Sequence, residues 1–229
     1  MYPILEKPIL YWLFEALEGL VDHIILVLSP TGQVEVERFL KNSSKTNYSI
    51  VVQDSPQGMA DAVHMCHENV STSNVMVLWG DQVTVKSETL QACLHTHENR
   101  ESAKVTLPTV KKNHPYIHFE RDRDGKIIKV LEAREAPIPY STGESDCGVF
   151  FFNTKILFEM LDLARGKKSG IGGATKEFNL LPFIPYFDQQ IRDVVSIRIK
   201  NEEEAFGINT TEEAKLVAQI LSKRKVRVI

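Results

Sequence analysis

Apolar positions along the first half of the chain alternate between short continuous runs and longer amphipathic stretches. His23-Ile-Ile-Leu-Val-Leu28, Tyr48-Ser-Ile-Val-Val-Gln53 and Asn74-Val-Met-Val-Leu-Trp79 lack the polar alternation of a one-sided strand. They predict strands covered on both faces. Between them, residues 8–19, 33–41, 58–69 and 87–97 carry helical spacing, with Val34, Val36, Phe39 and Leu40 on one side of the second stretch. Strands alternating with helices predict an α/β fold, a Rossmann-like mixed and mostly parallel sheet flanked by helices.

The second half changes character. Lys104–Val110, Tyr116–Phe119 and Ile127–Leu131 are closely spaced strand candidates, with Asp124-Gly125 as a hairpin turn between the last two. Cys147-Gly-Val-Phe-Phe-Phe-Asn153 reads as a buried strand, followed by a helix through Leu163. Arg165–Lys176, rich in Gly and Lys, reads as a solvated, mobile loop. An aromatic helix near Phe178–Phe187, a strand at Asp193–Ile199 and a last helix from Thr211 complete the chain, the last announced by the capping-box spelling Thr210-x-x-Glu213.

Composition narrows the class. The 229 residues suit one generous domain, and 43% hydrophobic with 25% charged content excludes a disordered chain. The 27 Lys and Arg against 30 Asp and Glu leave a net charge of −3, which argues against a nucleic-acid partner. Three cysteines, Cys66, Cys93 and Cys147, are odd in number and widely spaced, as in a reducing compartment. No apolar run approaches the roughly 20 residues of a membrane span. Glu6, Lys7 and Pro8 interrupt the apolar start, so no signal peptide is read there. A cytoplasmic protein with no membrane partner is the expectation.

Ligands of open α/β sheets bind beyond the carboxyl ends of the strands. Two segments qualify. Val77-Leu-Trp-Gly-Asp-Gln82 delivers the Asp81 carboxylate at a strand end, with Gly80 permitting close backbone approach. Such a carboxylate suits Mg²⁺, a hard cation often held by one or two protein oxygens plus substrate phosphates; a solvated loop Asp reads equally from the same letters. In Gln53-Asp-Ser-Pro-Gln-Gly-Met-Ala-Asp-Ala62 the strand ends on Gln53, whose donor and acceptor suit a base edge. Gly58 opens a small-residue helix there, where a planar ring can lie against backbone, and a plain Ser-Pro turn is the alternative.

Together these segments, Q-x-x-P-x-G-x-A-x-A and then L-x-G-D, resemble the sugar-phosphate nucleotidyltransferases, the family of N-acetylglucosamine-1-phosphate uridylyltransferases and glucose-1-phosphate thymidylyltransferases. Tyr116–Lys126, Val130–Arg134, Glu144–Val149 and Phe206–Thr210 are similar, in order, to later segments of that family. The resemblance implies a nucleotide-diphospho-sugar transferase fold, one domain over 1–229 with a nucleotide-binding half (1–110) and an acceptor-binding half (111–229). It implies transfer of a nucleoside monophosphate from a nucleoside triphosphate to a sugar-1-phosphate-like acceptor, with pyrophosphate released. Residue by residue, it makes Asp81 and Asn209 the Mg²⁺ ligands, and Asp81 and Arg134 the catalytic pair. Gln53, Gly58, Met59 and Gly80 face the nucleotide, and Glu132, Asp146 and Gly148 the acceptor. Asn209 also fits a helix N-cap, and Glu132 and Arg134 fit a solvated strand end.

Departures accompany the resemblance. Ile117 replaces a usual Gly, Asp146 a common Asn, and Met59 the Thr of the uridylyltransferases. The family's opening strand and Gly-rich loop, L-A-A-G-x-G-(T/S)-R, has no counterpart, and Met1–Ile9 is similar to the family segment immediately after that loop. The opening strand would lie between the strands at 23–28 and 74–79, whose inner edges are then expected to be unpaired, and so repacked, filled by another segment, or left open to association, including with another copy. Slow or absent turnover by these residues alone is expected, because backbone N–H groups for the phosphates are missing. A non-catalytic or truncated family member, binding ligand or regulating a partner, is the alternative. Gly166-Lys-Lys-Ser-Gly170 does not meet P-loop spacing, and His64/His67 and His95/His97 lack a matching second pair for zinc.

Overall fold

A computed structural model describes residues 1–43, 47–190 and 194–226. The chain opens with a tight hairpin, β1 (Pro3–Ile4) and β2 (Lys7–Pro8), and runs into α1 (Ile9–Leu17). Trp12 Nε1 donates to the Ile4 carbonyl at 3.0 Å, fixing the hairpin on the helix. The hairpin turn places Leu5 at φ 48° and Glu6 at φ 61°. Left-handed backbone costs a β-carbon residue about 1–2 kcal/mol that glycine avoids. Glu6→Gly is therefore expected to raise the thermal midpoint by about 2–4 °C; a lower midpoint in calorimetry would contradict a strained turn.

Next come β3 (Ile24–Leu28), α2 (Pro30–Lys41), β4 (Tyr48–Val52), α3 (Met59–His64), β5 (Asn74–Leu78) and α4 (Ser87–Asn99). The Ser29 hydroxyl caps α2 by accepting from Gly32 N at 3.2 Å, and Pro30 occupies the first helical position, where no N–H is needed. Then follow β6 (Val105–Asn113), β7 (Ile117–Arg121), β8 (Ile127–Glu132), β9 (Thr142–Asp146), β10 (Val149–Asn153) and α5 (Thr154–Gly166). The chain closes with α6 (Phe183–Gln190), β11 (Val194–Arg198) and α7 (Thr211–Val226).

The main sheet has the order β11-β6-β10-β5, with β9 paired along the far half of β6. β11 runs parallel to β6, and β10 lies antiparallel to both its neighbours, so β5, β6 and β11 share one direction. β3 and β4 form a separate parallel pair. Among the described residues β3 pairs only with β4 and β5 only with β10. Among the described residues the two inner edges expected to be unpaired have no strand partner. Ile24, Leu26, Leu28 and Leu78 instead pack into one apolar cluster with α1 and α7 residues.

A larger core lies under β10, α5, α6 and the β7–β8 hairpin, with Phe150, Phe152, Leu157, Leu161, Ile184 and Phe187 buried in it. Arg121 grips Glu144 by two hydrogen bonds of 2.7 Å, binding the hairpin to β9, and Asp188 of α6 accepts from Ile127 N at 2.6 Å. All three cysteines are free and buried, and burial pushes the Cys66 thiol up to about 11 and Cys93 up to about 12. Such thiols stay protonated and pack as small apolar groups. No helix among the described residues is long and apolar enough to cross a membrane.

Two expectations need correction. The aromatic helix begins at Phe183, because Phe178 is in extended backbone, bridged to Ile171 and donating its N–H to Gln57 O at 2.7 Å. The loop read as solvated from Arg165 is helical to Gly166, and its later part is tied down: Glu135 accepts from Ala174 N at 2.8 Å and Thr175 Oγ1 at 2.5 Å. β6 runs across residue 110, so the two halves expected on either side of it share a strand. Arg224 of α7 ties that helix to the segment before α4, its Nη1 donating to Thr84 O at 2.6 Å. Asp193 and Arg227 lie outside the described residues.

Candidate active site

The strand end of β5 is built as its sequence predicts. Trp79 N donates to Gly148 O at 3.0 Å, carrying the β5–β10 ladder one residue further, and Gln82 N turns back to Trp79 O at 3.1 Å. Gly80 sits exposed on that turn, with open space where a β-carbon would stand. Asp81 follows, half-buried. Burial, and then the Glu213 carboxylate, hold its pKa above the ordinary value, while a backbone hydrogen bond opposes them.

The segment between β11 and α7 closes on this carboxylate. A β-carbon on Gly207 would stand 2.6 Å from Asp81 Oδ2, so a larger residue there would push the carboxylate aside. Two residues on, Asn209 is exposed, and its backbone N–H donates to Glu213 Oε2 at 2.7 Å. The helix cap belongs to Thr210, whose hydroxyl accepts from Glu213 N at 3.1 Å while Thr210 N donates to Glu213 Oε2 at 2.9 Å. The capping box is therefore complete without the Asn209 side-chain amide.

Asp146 is near enough for the Asp81 charge to act on it. It is 5% exposed, its Oδ1 accepts from Gly148 N at 2.6 Å, and its Oδ2 is buried without a partner among the described residues. Burial pushes its pKa up to about 6, with the Asp81 charge adding to it and Lys112 opposing. Gly148 has φ 68°, and a β-carbon there would overlap Gln82 Cγ. Lys112 Nζ donates to Ala205 O at 2.9 Å and lies 4.9 Å from the centre of the Phe206 ring.

Asp81 and Asp146 are thus two carboxylates whose charge is disfavoured, and Asn209 stands exposed two residues after the glycine that approaches Asp81. A divalent cation that binds oxygen fits this chemistry, because it relieves the like-charge repulsion. Among the described residues no group of three or more His, Cys, Asp or Glu is arranged to hold a metal ion. An ion here would share its shell with ligand oxygens. The histidines are placed otherwise: His64 contacts Asp162 at 2.6 Å, His67 stacks on Phe158 at 4.3 Å, and His97 is buried against Thr106 at 3.0 Å.

A second set lies at the end of β4. Gln53 N donates to Leu28 O at 2.8 Å, and Gln53 Nε2 to Asp61 Oδ2 at 2.8 Å. Gly58, at φ 110°, is needed for a protein contact: a β-carbon would overlap the Phe178 carbonyl oxygen, which accepts from Ala60 N at 3.0 Å. The face of Gly58 on that side is closed to a ring. Met59 packs against the large core with Trp79.

A third set surrounds Arg134, and here the solvated-strand-end alternative fails. Its guanidinium donates to Glu132 Oε2 at 3.0 Å, Glu177 Oε2 at 2.8 Å and Asn179 Oδ1 at 2.5 Å. Glu132 is 6% exposed, and burial raises its pKa against the opposing pull of Arg134. Arg134 therefore stands as a tie between the β8 end and the Phe178–Asn179 segment, already shared by two carboxylates.

Three participants escape the sequence reading: Asp61, Arg165 and Lys112. Asp61 stands inside the Gly58–Ala62 motif, eight residues after Gln53, where a charge on a small-residue helix was the only signal. Arg165 lies 104 residues from its partner Asp61, beyond any local pattern.

A model of the nucleotidyl transferase family matches residues 1–176, about three quarters of the chain and the whole of the Gln53, Asp81, Glu132 and Asp146 framework. The chain belongs to that family. Among curated relatives, the bifunctional protein GlmU of Carboxydothermus hydrogenoformans is 28% identical over 232 residues, covering 100% of this chain and 50% of that protein. This nucleotidyl transferase thus spans about half the length of the curated relatives it matches. Two solved structures share its fold. HddC from Yersinia pseudotuberculosis, complexed with GMP-PN, superposes with a TM-score of 0.66 at 17% identity, covering 96% of this chain and 88% of that one. The 4-diphosphocytidyl-2C-methyl-D-erythritol synthase of Anaerococcus prevotii gives 0.68 at 12% identity, with the same 96% and 88% coverage.

Proposed function

We propose that this nucleotidyl transferase moves a nucleoside monophosphate from a nucleoside triphosphate to a sugar-1-phosphate-like acceptor. The observation that carries the reading is the meeting of Asp81 with Gly207, Glu213 and Asp146 at the carboxyl end of β5, within a chain whose family is established. A phosphate oxygen of the acceptor attacks the α-phosphorus in line; the new P–O bond forms as the bond to the pyrophosphate oxygen breaks, and pyrophosphate leaves with the electron pair. No protein nucleophile takes part, so rate comes from positioning and electrostatics.

Asp81 and Asn209 would hold Mg²⁺, which supplies charge neutralisation on the phosphates when bound. Gln53 reads the base edge, and Gly80 leaves room for the nucleotide on the open side of the β5 turn. Gly58 and Met59 shape the α3 start beside Gln53. Glu132 and Asp146 accept hydrogen bonds from acceptor hydroxyls, and Gly148 keeps the Asp146 carboxylate in place through its N–H. Arg134 serves this site by holding Glu132 and Glu177 while its charge offsets theirs. The nucleotide side lies on residues 1–110 and the acceptor side on 111–229.

The test is pyrophosphate release with Mg²⁺ across nucleoside triphosphates and sugar-1-phosphates, run with and without a family-type strand and Gly-rich loop placed ahead of Met1. Faster release with that segment and a matched substrate pair supports the reading. Tight nucleotide binding with no release from any pair in either form would favour a binding subunit instead. Gln53→Ala is expected to flatten discrimination among UTP, dTTP, CTP and GTP, because it removes the amide that faces the base edge. An unchanged order of preference would mean that Gln53 only ends a strand.

A further inference from the structure

The Asp61 carboxylate is 3% exposed and lies between two donors. Arg165 Nη2 donates to its Oδ1 at 2.5 Å, and Gln53 Nε2 donates to its Oδ2 at 2.8 Å. The same guanidinium donates to His64 Nδ1 at 2.7 Å, and His64 Nε2 faces Asp162 Oδ1 at 2.6 Å. Arginine only donates, so His64 Nδ1 accepts and Nε2 carries the proton toward Asp162. The chain of contacts from α5 to the end of β4 therefore has a single consistent polarity.

That polarity reaches Gln53. An amide has one donating and one accepting end, and the two flips are otherwise alike in shape. A carboxylate only accepts, so Asp61 permits one flip alone, with Nε2 turned to it. The Gln53 carbonyl oxygen remains, without a partner among the described residues. We propose that Asp61, itself held by Arg165, is the positioning residue that sets which hydrogen-bonding polarity Gln53 offers to the nucleotide base. The inference rests on the reading of Gln53 as the base-contact residue. Gln53 then presents an acceptor and selects a base with an N–H at the facing position. Uracil and cytosine carry opposite donor and acceptor patterns at both N3 and C4, so one flip cannot serve both.

Asp61→Asn turns this into a reversal. Arg165 can only donate, so it takes the new carbonyl oxygen and leaves the Asn amide N–H facing Gln53. Gln53 must then flip and present its Nε2 to the base. The ratio of UTP to CTP dissociation constants, measured by calorimetry with Mg²⁺, is expected to invert, moving about 10- to 100-fold from wild type. In a Gln53→Ala background Asp61→Asn is expected to leave the ratio near one.

The outcomes separate the two ideas. A wild-type ratio retained by Gln53→Ala overturns the base-contact reading itself. A flattened ratio in Gln53→Ala with an unchanged ratio in Asp61→Asn overturns the positioning role, as does an equal loss of affinity for both nucleotides. Should Asp61→Asn lose its cooperative thermal transition, Asp61→Ser decides: a hydroxyl both donates and accepts, so both flips become available and the ratio falls toward one. Retention of the wild-type ratio in Asp61→Ser overturns the proposal.

Discussion

Asp81→Asn is expected to weaken binding of Mg²⁺-nucleotide by at least about tenfold and to cut any pyrophosphate release by about 10²–10³, with no loss of thermal stability. The two halves of this result come from the same geometry. Burial and the Glu213 charge already disfavour the Asp81 carboxylate, and Gly207 brings backbone to within close contact of it. The fold holds an anion where the isolated protein does not want one, the usual mark of a site built for a cation or a reacting group. Asn keeps the shape and one acceptor but loses the charge, so a neutral side chain relieves repulsion while the ion loses a ligand. Calorimetric titration at fixed Mg²⁺ and a thermal scan on the same samples check both halves. Equal nucleotide affinity in the two proteins would remove Asp81 from the metal site. A fall of several degrees in midpoint would recast it as a structural residue.

How much of this was legible beforehand depends on the range over which each residue acts. β3, β4 and β5 follow directly from apolar runs, and the α7 start from Thr210 and Glu213, because their causes lie within a few residues. The inner edges of β3 and β5, unpaired among the described residues, were legible too, through the order of motifs, because Met1–Ile9 is similar to the family segment that follows the opening strand and loop. The antiparallel insertion of β10 between β5 and β6 was not, since strand order is decided by packing across the sheet. Phe178 carries helical letters yet sits extended, because Gly58 leaves space for its backbone and Gln57 accepts its N–H. Glu135 orders a loop 39 residues away by accepting from Ala174 N, a contact that composition hides. At the site, Asp81 was named from its strand end, and Asp146 and Glu132 from the resemblance. The restraints that set their states, from Glu213, Gly148 and Arg134, emerged only in three dimensions. Arg134 shows the difference: its charge was visible in the sequence, but not that Glu132, Glu177 and Asn179 already use it.

Asp146→Asn is expected to stabilise the protein by up to about 3 kcal/mol at pH 7–8 while weakening acceptor use. The folded-state pKa of Asp146 is raised from 3.8 to about 6, first by burial. A raised carboxylate binds its proton more tightly in the folded than in the unfolded chain. Its favourable contribution is therefore full below about pH 4 and is lost as pH rises through about 6, leaving the cost of a buried charge at neutral pH. Each pKa unit corresponds to about 1.4 kcal/mol, which sets the upper limit quoted. The Gly148 N–H meets one oxygen, but Oδ2 has no partner among the described residues, so the charge is only half solvated by the protein. An Asn at this position has no charge to bury, and its difference from wild type should shrink steadily as pH falls from 7 to 4. Denaturant titrations across that range give the test, with the gap between the two proteins as readout. A gap independent of pH would show that Asp146 does not titrate there, and a gap of opposite sign would show that Lys112 and the Gly148 N–H outweigh burial.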